Sequence, residues 1–272
     1  MERRIDLPTC TGAVTDTGAT VIAWQPTGYA PVLFLSSAAV LAPGSAVRGG
    51  VPVCFPWFGP GRQPGAPFSH GFARTASWDH SSDHIGEGGE QRLTYSLCRD
   101  DVSDPYWPYD YTADVGVQFG SQLTVSLTVT NLDTEIVSYE AALHSYRAVG
   151  SIHDTRVEGL DGAEYVDKAA GGMRRRQEGS LTFTGETDNV YAWAGPVTVV
   201  DAAGGRHIDV RSSGASNIIV WNPWREKAAR LADLGEGEWE RFVCVEAGRV
   251  LDGAVRLGEG ESHTLTTTIS VR

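Results

Sequence analysis

Residues 122–131 read QLTVSLTVTN and alternate between apolar and polar side chains. The apolar positions are Leu123, Val125, Leu127 and Val129, and the hydroxyl-bearing positions between them are Thr124, Ser126, Thr128 and Thr130. Because successive side chains of a strand point to opposite faces of a sheet, this pattern predicts a half-buried antiparallel strand with one apolar face.

Similar short runs recur on both sides of this stretch, whereas helical periodicity is nearly absent. Glycine, proline and acidic turns separate the runs, a pattern typical of a β-sandwich or a β-barrel. The predicted strands are Ala19–Gln25, Pro31–Leu35, Arg92–Leu97, Tyr111–Gln118, Gln122–Asn131, Ile136–Ala148, Ser180–Phe183, Pro196–Asp201, His207–Ser212, Ile218–Trp221, Arg241–Ala247 and Ser262–Val271. The predicted loops are Ser81–Glu90, Arg99–Pro108, Asp161–Gly179 and Leu234–Glu240. No break in composition and no repeat divides the chain, so we expect residues 1–272 to form one all-β domain.

The charge balance limits the partners of the chain. A formal net charge of −12 argues against nucleic acid or an anionic membrane surface as a partner. An anionic ligand would therefore need a local basic site. The run Arg174–Arg176 lies in the third predicted loop, where a solvated loop tip is favoured over a basic recognition patch.

The cysteines and the chain start bear on the compartment. Cys10, Cys54, Cys98 and Cys244 lie far apart without a CxxC pair, which argues against a clustered zinc site. Three of them lie within apolar runs, which favours reduced, buried thiols. The start MERRIDLPTC lacks the apolar segment of a secretory signal, and no apolar run approaches transmembrane length. We therefore expect a cytoplasmic protein.

The stretch Val47–Arg74 reads VRGGVPVCFPWFGPGRQPGAPFSHGFAR. Its five prolines exclude a long helix or a central strand, yet the aromatic residues within Phe55–Phe58 make it too apolar for a solvated linker. This combination predicts an ordered, partly buried loop that brings Arg48, His70 and Arg74 into a cavity. A packed loop whose arginines face solvent is the alternative.

His144 and Glu246 are candidates for acid–base chemistry. A period of two places His144 on one strand face with Glu140 and Tyr146, where it either lines a pocket or is a satisfied core histidine. Glu246 closes an apolar run beside a glycine turn. Burial there would raise its pKa, as a general base that works near neutrality requires, whereas an exposed strand-end glutamate is the alternative.

Other residues give weaker signals. Arg48 and Arg74 could form a fork for a phosphate or a carboxylate. The eight tryptophans and nine tyrosines permit a site that stacks on sugars, although aromatic residues more often belong to the core. The other histidines lack metal-binding spacing, so no metal site is predicted. Cys54 has no identifiable general base beside it, which argues against a nucleophilic role.

Seven blocks of sequence, in order over most of the chain, support a family assignment. They are RGGVPVCFPWFGP at Arg48–Pro60, HGFAR at His70–Arg74, ALHSYRAVG at Ala142–Gly150, GLDGAEYVDK at Gly159–Lys168, ETDNVY at Glu186–Tyr191, VWNPWREKAARLAD at Val220–Asp233 and FVCVEAG at Phe242–Gly248. Together they resemble the glucose-6-phosphate 1-epimerases, or hexose-6-phosphate mutarotases, of the aldose 1-epimerase superfamily. The first two blocks form the most specific pairing. Ser69 and Phe55 depart from residues common in relatives, which bears on fine substrate preference.

The resemblance implies a large antiparallel β-sandwich of the galactose-mutarotase type, in agreement with the strand pattern. It also implies that His144 is the general acid and Glu246 the general base. The residues implied to hold the substrate are Arg48, His70 and Arg74, with the arginines near a phosphate, and Asp188, which would bind sugar hydroxyls.

The expected reaction interconverts the α and β anomers of a hexose 6-phosphate, glucose 6-phosphate foremost, by ring opening and closure. No metal or organic cofactor is expected, because the carbonyl forms and disappears without net redox change. The expected partner is a small-molecule hexose phosphate, without nucleic acid or membrane, and the expected state is a monomer. Two alternatives remain: an aldose 1-epimerase that acts on unphosphorylated sugars, and a non-catalytic sugar-phosphate-binding module.

Overall fold

The computed structural model describes residues 1–60, 68–99 and 107–272. Most of the predicted loop Arg99–Pro108 and the middle of the stretch Val47–Arg74 therefore lie outside the described residues.

Strands dominate the described residues, as the alternating pattern predicts. In the first half of the chain they are β1 (Glu2–Leu7), β2 (Cys10–Thr15), β3 (Thr20–Pro26), β4 (Val53–Cys54), β5 (Asp79–Ile85), β6 (Gln91–Cys98), β7 (Tyr111–Phe119), β8 (Leu123–Asn131), β9 (Val137–Tyr139), β10 (Ala141–Leu143) and β11 (Tyr146–Ala148). In the second half they are β12 (Thr155–Glu158), β13 (Glu164–Asp167), β14 (Met173–Arg176), β15 (Leu181–Thr182), β16 (Thr187–Tyr191), β17 (Val197–Asp201), β18 (Arg206–Ser213), β19 (Asn217–Asn222), β20 (Phe242–Arg249), β21 (Val255–Leu257) and β22 (Ser262–Val271). The helical segments are α1 (Trp224–Ala228) and short 3-10 helices at Ile152–Asp154, Glu238–Arg241 and Leu251–Gly253. No helix within the described ranges is long and apolar enough to cross a membrane.

A nine-stranded antiparallel sheet forms one layer, in the order β15-β12-β17-β18-β22-β8-β7-β6-β5. The alternating stretch at residues 122–131 contains β8, which lies between β22 and β7. Its apolar positions are buried and its hydroxyl-bearing positions are partly exposed in strict alternation, which confirms the prediction. The outward hydroxyls pair with β22, with oxygen distances of 3.1 Å for Thr124–Thr268 and 2.9 Å for Thr128–Thr264.

An eight-stranded antiparallel sheet forms the second layer, in the order β14-β13-β16-β19-β20-β10-β4, with β11 also paired to β20. Strands β10 and β20 pack against β8 and β22 of the first layer, so the predicted all-β sandwich is confirmed. Two smaller sheets, β1-β2-β3 and β21-β9, complete the fold.

The central strands of the eight-stranded sheet are covered on both faces. All six residues of β19 are buried. Ile218 and Val220 join the main core between the layers. Ile219 instead packs on the opposite face, in a second apolar cluster with Cys54 and Val190. This opposite face carries the cavity described below.

Some strand and loop predictions are wrong. The predicted loop Ser81–Glu90 contains most of β5, and Asp161–Gly179 contains the hairpin of β13 and β14. Strands β5 and β14 lie at the edges of their sheets and β13 lies next to an edge, and none of the three contains a buried residue, so apolar alternation does not mark them. The run Arg174–Arg176 is exposed as expected, but it belongs to strand β14. The predicted strand Pro31–Leu35 forms only isolated bridges.

The predicted strand Ile136–Ala148 is divided into β9, β10 and β11. The interruptions fall at Glu140 and at His144–Ser145, where the chain leaves the regular ladder. The backbone N–H of Glu140 donates to the carbonyl of Pro56, and that of His144 donates to the carbonyl of Pro52. The first half of the Val47–Arg74 stretch is thereby fastened to this segment, which confirms that it is an ordered loop.

Candidate active site

A cavity of about 330 Å³ lies on the face of the eight-stranded sheet that is turned away from the other layer. All six residues that the sequence singles out line it, namely Arg48, His70, Arg74, His144, Asp188 and Glu246. They come from positions up to 198 residues apart, since the cavity joins Arg48 to Glu246. The folding of the chain thus brings all of these candidates to one place.

Strand pairing explains how the sheet contributes to the cavity. Glu246 on β20 pairs with Ile219 on β19, and Asp188 on β16 pairs with Trp221 on β19. Directly paired residues of an antiparallel sheet have side chains on the same face, and positions two apart on one strand share that face. These four side chains therefore point into the same cavity.

His144 lies between β10 and β11, and its ring is held by aromatic neighbours. The ring stacks on Tyr146 with centroids 4.9 Å apart and meets Trp221 edge-on at 5.8 Å. Its Nδ1 atom lies 3.5 Å from Oε1 of Glu246. Both side chains are buried, and neither this nitrogen nor the two Glu246 oxygens has a hydrogen-bond partner within the described part of the chain.

Burial shifts the pKa of each member of this pair in the direction of its neutral form. The pKa of His144 is lowered well below 6.5, first by burial and then by His70 and the nearby arginines. The pKa of Glu246 is raised well above 4.5, first by burial and then by Asp188, whereas Lys168 and Arg147 act to lower it. Burial disfavours both charged forms. The His144 imidazolium is therefore a stronger acid than in water, and the Glu246 carboxylate is a stronger base than in water.

His70 is fixed in one tautomer by its own loop. The backbone N–H of Gly59 donates to Nδ1 of His70 at 3.3 Å, so the proton of the neutral ring lies on Nε2. The backbone N–H of His70 donates in return to the Gly59 carbonyl at 2.7 Å. Burial, with Arg74 next in importance, lowers the pKa of His70 to about 3. His70 therefore stays neutral near pH 7, and its Nε2–H has no acceptor among the described residues.

Arg48 is already paired with a carboxylate. Its Nε and Nη2 atoms contact the two oxygens of Asp233 at 3.2 and 3.1 Å. Its Nη1 donates to the Tyr146 hydroxyl at 3.0 Å. The pKa of Arg48 is raised, because Tyr146 and Asp233 outweigh the opposing effect of burial. Much of its positive charge is therefore compensated.

Arg74 has a different environment. Its Nη2 donates to the backbone carbonyl of Ser69 at 2.6 Å. Its buried Nε has no partner, and no carboxylate of the described residues lies within ion-pair distance of the side chain. Arg74 thus keeps a positive charge that an anionic ligand could neutralise.

The cavity also contains two lysines and a tryptophan that were not among the candidates from the sequence. Lys168 lies 3.7 Å from Asp188 and 4.9 Å from the centre of the Phe58 ring. Lys227 contacts Glu186 at 2.7 Å, and Trp221 supplies an aromatic wall. Lys168 ends one of the quoted sequence blocks, which is the only signal that could have drawn attention to it.

One group of side chains offers donor atoms for a metal. Single donor atoms of His144, Cys244 and Glu246 lie within 4.8 Å of one another, and all three residues are buried. The described residues contain no second cluster of this kind.

Comparison with known proteins gives consistent results. The family model described as aldose 1-epimerase matches residues 5–270. A protein of Salmonella typhimurium, provisionally named glucose-6-phosphate 1-epimerase, is 35% identical over 89% of this chain and 81% of its own length. The crystal structure of a provisionally assigned mutarotase, YeaD of Salmonella typhimurium, has a TM-score of 0.92 and 32% identity, covering 99% of this chain and 90% of that one. A galactose mutarotase-like protein of Lactobacillus casei shares the fold, with a TM-score of 0.78 and 17% identity over the whole of both chains.

Proposed function

The chain belongs to the aldose 1-epimerase family, and on that premise we propose that it interconverts the anomers of hexose 6-phosphates such as glucose 6-phosphate. The observation that carries this proposal is the contact of 3.5 Å between His144 and Glu246 at the floor of the cavity. An acid and a base in such proximity, without competing partners among the described residues, suit a reaction that adds one proton to the sugar and removes another from it.

In the proposed reaction, Glu246 removes the proton from the C1 hydroxyl while His144 protonates the ring oxygen. The C1–O5 bond breaks, and an open-chain aldehyde remains in the cavity. After rotation about the C1–C2 bond, His144 takes the proton of the C5 hydroxyl as its oxygen attacks C1. Glu246 returns its proton to the former aldehyde oxygen, so the pair ends each turnover as it began.

The pKa shifts support these roles. A carboxylate whose pKa is raised is a stronger base, and an imidazolium whose pKa is lowered is a stronger acid. In the reactive form the pair carries one proton. That proton lies on His144, and Glu246 is a negatively charged carboxylate. Lys168 and Arg147 favour that charge, since both lower the pKa of Glu246.

The cations of the cavity support a phosphate-bearing substrate. Arg74 lacks a carboxylate partner among the described residues and is the leading candidate to contact the phosphate. Arg48 keeps N–H groups beyond those used by Asp233 and Tyr146, and it would assist. In a chain of net charge −12, such a local positive site is what an anionic substrate requires. His70 and Asp188 are proposed to hold sugar hydroxyls.

A second candidate is an epimerase that acts on unphosphorylated aldoses. It is favoured by one observation, namely that most cavity cations are already compensated. Arg48 is paired with Asp233, Lys168 lies 3.7 Å from Asp188, and Lys227 contacts Glu186. These ion pairs reduce the positive field that a phosphate would meet.

Anomer exchange measured by NMR at equilibrium tests both candidates. We expect magnetisation to pass between the α and β signals of glucose 6-phosphate faster with the protein than without it. Glu246→Gln should lower the catalysed rate by about 10²–10⁴-fold. Glu158→Gln removes one charge from the other sheet and should leave the rate unchanged. Exchange that is equally fast in Glu246→Gln would rule out Glu246 as the base.

The substrate class is decided by Arg74→Gln. If the phosphate contacts Arg74, this variant should raise KM for glucose 6-phosphate by about tenfold or more and leave exchange of glucose unaffected. Faster exchange of glucose than of glucose 6-phosphate by the unmodified protein would favour the second candidate. Binding of the sugar phosphate without faster exchange would instead indicate a binding module.

The pH dependence follows from the single proton of the pair. A second proton leaves both His144 and Glu246 protonated and stops the reaction at acid pH, and since the pKa of His144 is lowered, this limb should lie below 6.5. Loss of the proton stops the reaction at alkaline pH, and since the pKa of Glu246 is raised, that limb should lie well above 4.5. The expected kcat profile is a bell, and a flat profile would contradict a coupled acid–base pair.

A further inference from the structure

The trio of His144, Cys244 and Glu246 has a use that anomer exchange does not require. We propose that it forms an inhibitory site for a thiophilic divalent cation, Zn²⁺ or Cd²⁺, which competes with the sugar for the floor of the cavity. The inhibition rests on the proposed function, whereas the binding of the metal does not.

The backbone brings the three donor groups together. Cys244 and Glu246 are two residues apart on β20, so their side chains share one face. His144 follows β10 and precedes β11, and both of these strands pair with β20. Tyr146 lies directly opposite Cys244, which places the connection that carries His144 above this part of β20. The site is therefore built on paired strands.

The distances suit a small cation. The donor atoms lie within 4.8 Å of one another, and Nδ1 of His144 is 3.5 Å from Oε1 of Glu246. In a tetrahedral zinc site the metal–ligand bonds are about 2.0–2.3 Å, which separates the ligand atoms by about 3–4 Å. Side-chain shifts of about 1 Å would close the trio around the ion, and the fourth position would face the cavity.

The unpaired polar atoms provide an independent reason to expect a ligand. Nδ1 of His144 and both carboxylate oxygens of Glu246 are buried without a hydrogen-bond partner among the described residues. Buried lone pairs without partners cost free energy, and a cation would satisfy them. The donor set of nitrogen, sulfur and oxygen is one that zinc accepts.

The charges around the trio act in both directions. Arg147, Lys168, Arg48 and Arg74 all lie near enough to oppose an added cation. Coordination, however, displaces two protons to solvent, that of the Cys244 thiol and the one carried by the His144–Glu246 pair, and leaves a thiolate beside the Glu246 carboxylate. Two negative ligands then balance the two positive charges of the metal, so the bound state adds no net charge to the cavity.

Titration with Cd²⁺ alone tests this proposal, because a cadmium–thiolate bond absorbs in the ultraviolet. We expect chelator-treated protein to bind one Cd²⁺ per chain with this absorption and to lose anomer exchange in step with it. A chelator should restore the full rate. The concentration for half-inhibition should rise with glucose 6-phosphate, since sugar and metal occupy the same floor.

Variants of two buried cysteines make the test specific. Cys244→Ser and Cys244→Ala should exchange anomers at the normal rate without metal, lack the absorption band, and bind Cd²⁺ at least about tenfold more weakly. Cys54→Ser changes another buried thiol of the same sheet and should behave like the unmodified protein. Equal inhibition of Cys244→Ser, or no band in the unmodified protein, would overturn the proposal.

The measurements distinguish failure of the proposed epimerase function from failure of the proposed metal site. A thiolate band at one Cd²⁺ per chain, in a protein without exchange activity, would refute the proposed function and support the metal site. Full exchange activity with the band at saturation would refute competition at the cavity floor.

Discussion

Arg206 and Arg147 are both buried guanidinium groups, yet the two sheets of the sandwich surround them differently. Arg206, on β18 of the nine-stranded sheet, contacts Asp201 at 3.1 Å and donates to the carbonyls of Ala30, Pro31 and Ala148. Asp201 in turn accepts the backbone N–H groups of residues 150 and 204. This charge is fully paired, and it ties loops to the sheet.

Arg147, on β11 of the eight-stranded sheet, has almost no partners among the described residues. Its side chain is fully buried, and within this part of the chain only Nη2 has an acceptor, the Val245 carbonyl at 3.5 Å. Nε and Nη1 have none among the described residues. Burial lowers its pKa to about 10, although Cys244 and Glu246 act to raise it. This charge lies beside β20, the strand that carries Glu246 of the acid–base pair.

The comparison separates two uses of buried polar groups. Paired as Arg206 is, a buried charge fixes the fold. Groups such as Arg147, His144 and Glu246 have buried polar atoms without hydrogen-bond partners among the described residues. Such groups cost stability and are found where a site needs groups of altered reactivity. The eight-stranded sheet therefore contains buried groups that lower stability but suit acid–base chemistry, whereas the paired charge of the nine-stranded sheet stabilises the fold.

The largest expected effect comes from breaking the paired charge. Asp201→Ala leaves Arg206 buried without a carboxylate, which should lower the free energy of unfolding by about 3–5 kcal/mol in urea titrations. Asp209→Ala, which breaks an exposed contact with Arg272, should cost no more than about 1 kcal/mol. Equal losses in both variants would contradict the structural role of the Asp201–Arg206 pair.

Arg147→Met should not lower the free energy of unfolding as Asp201→Ala does. Since no carboxylate of the described residues pairs with Arg147, replacement by an apolar side chain should leave the free energy of unfolding unchanged or raise it by up to about 4 kcal/mol. The alkaline limb of the exchange rate should move to higher pH, because Arg147 lowers the pKa of Glu246. A loss of stability would show that Arg147 is better satisfied than its contacts indicate.

Glu246→Gln should stabilise the fold in a pH-dependent way. The folded pKa of Glu246 is raised, so its contribution to stability is fully present below pH 4.5 and is lost as pH rises through the folded value. Glutamine does not ionise, so the variant should have a higher free energy of unfolding than the unmodified protein near pH 8 and a similar one near pH 4. A gain that is independent of pH would indicate a packing effect instead.

The smallest effect is expected on the outer face of the nine-stranded sheet. Thr128 lies 2.9 Å from Thr264 in the exposed hydroxyl ladder. Thr128→Val should change the free energy of unfolding by no more than about 0.5 kcal/mol and leave the exchange rate as it is. A marked loss of exchange would show that the two sheets are not separable in function.

The nine-stranded sheet is largely predictable from sequence. Strands such as β7, β8 and β22 have one face in the core and one in solvent, so apolar and polar residues alternate along their sequences. Edge strands such as β5 and β14 are not predicted from the sequence. Little of their surface is buried, so there is no selection for apolar side chains at alternate positions.

The site is predictable only in part. His144 and Glu246 lie within quoted sequence blocks, and all six candidates do line the cavity. The Asp233 partner of Arg48 and the Lys168 neighbour of Asp188 are not evident from sequence. Each depends on pairing between distant segments, 185 residues apart for Arg48 and Asp233. No local pattern records such a contact.

The ion pairs around the cavity also affect the entropy of binding. Arg48, Lys168 and Lys227 are each restrained by a carboxylate before any ligand arrives. A long cationic side chain that is free to rotate loses up to about 1.5–2 kcal/mol of rotamer entropy when it is fixed. Here much of that ordering takes place during folding. The carboxylates weaken the positive field of the cavity, but they also lower the entropic cost of binding a sugar, because three flexible side chains are already restrained.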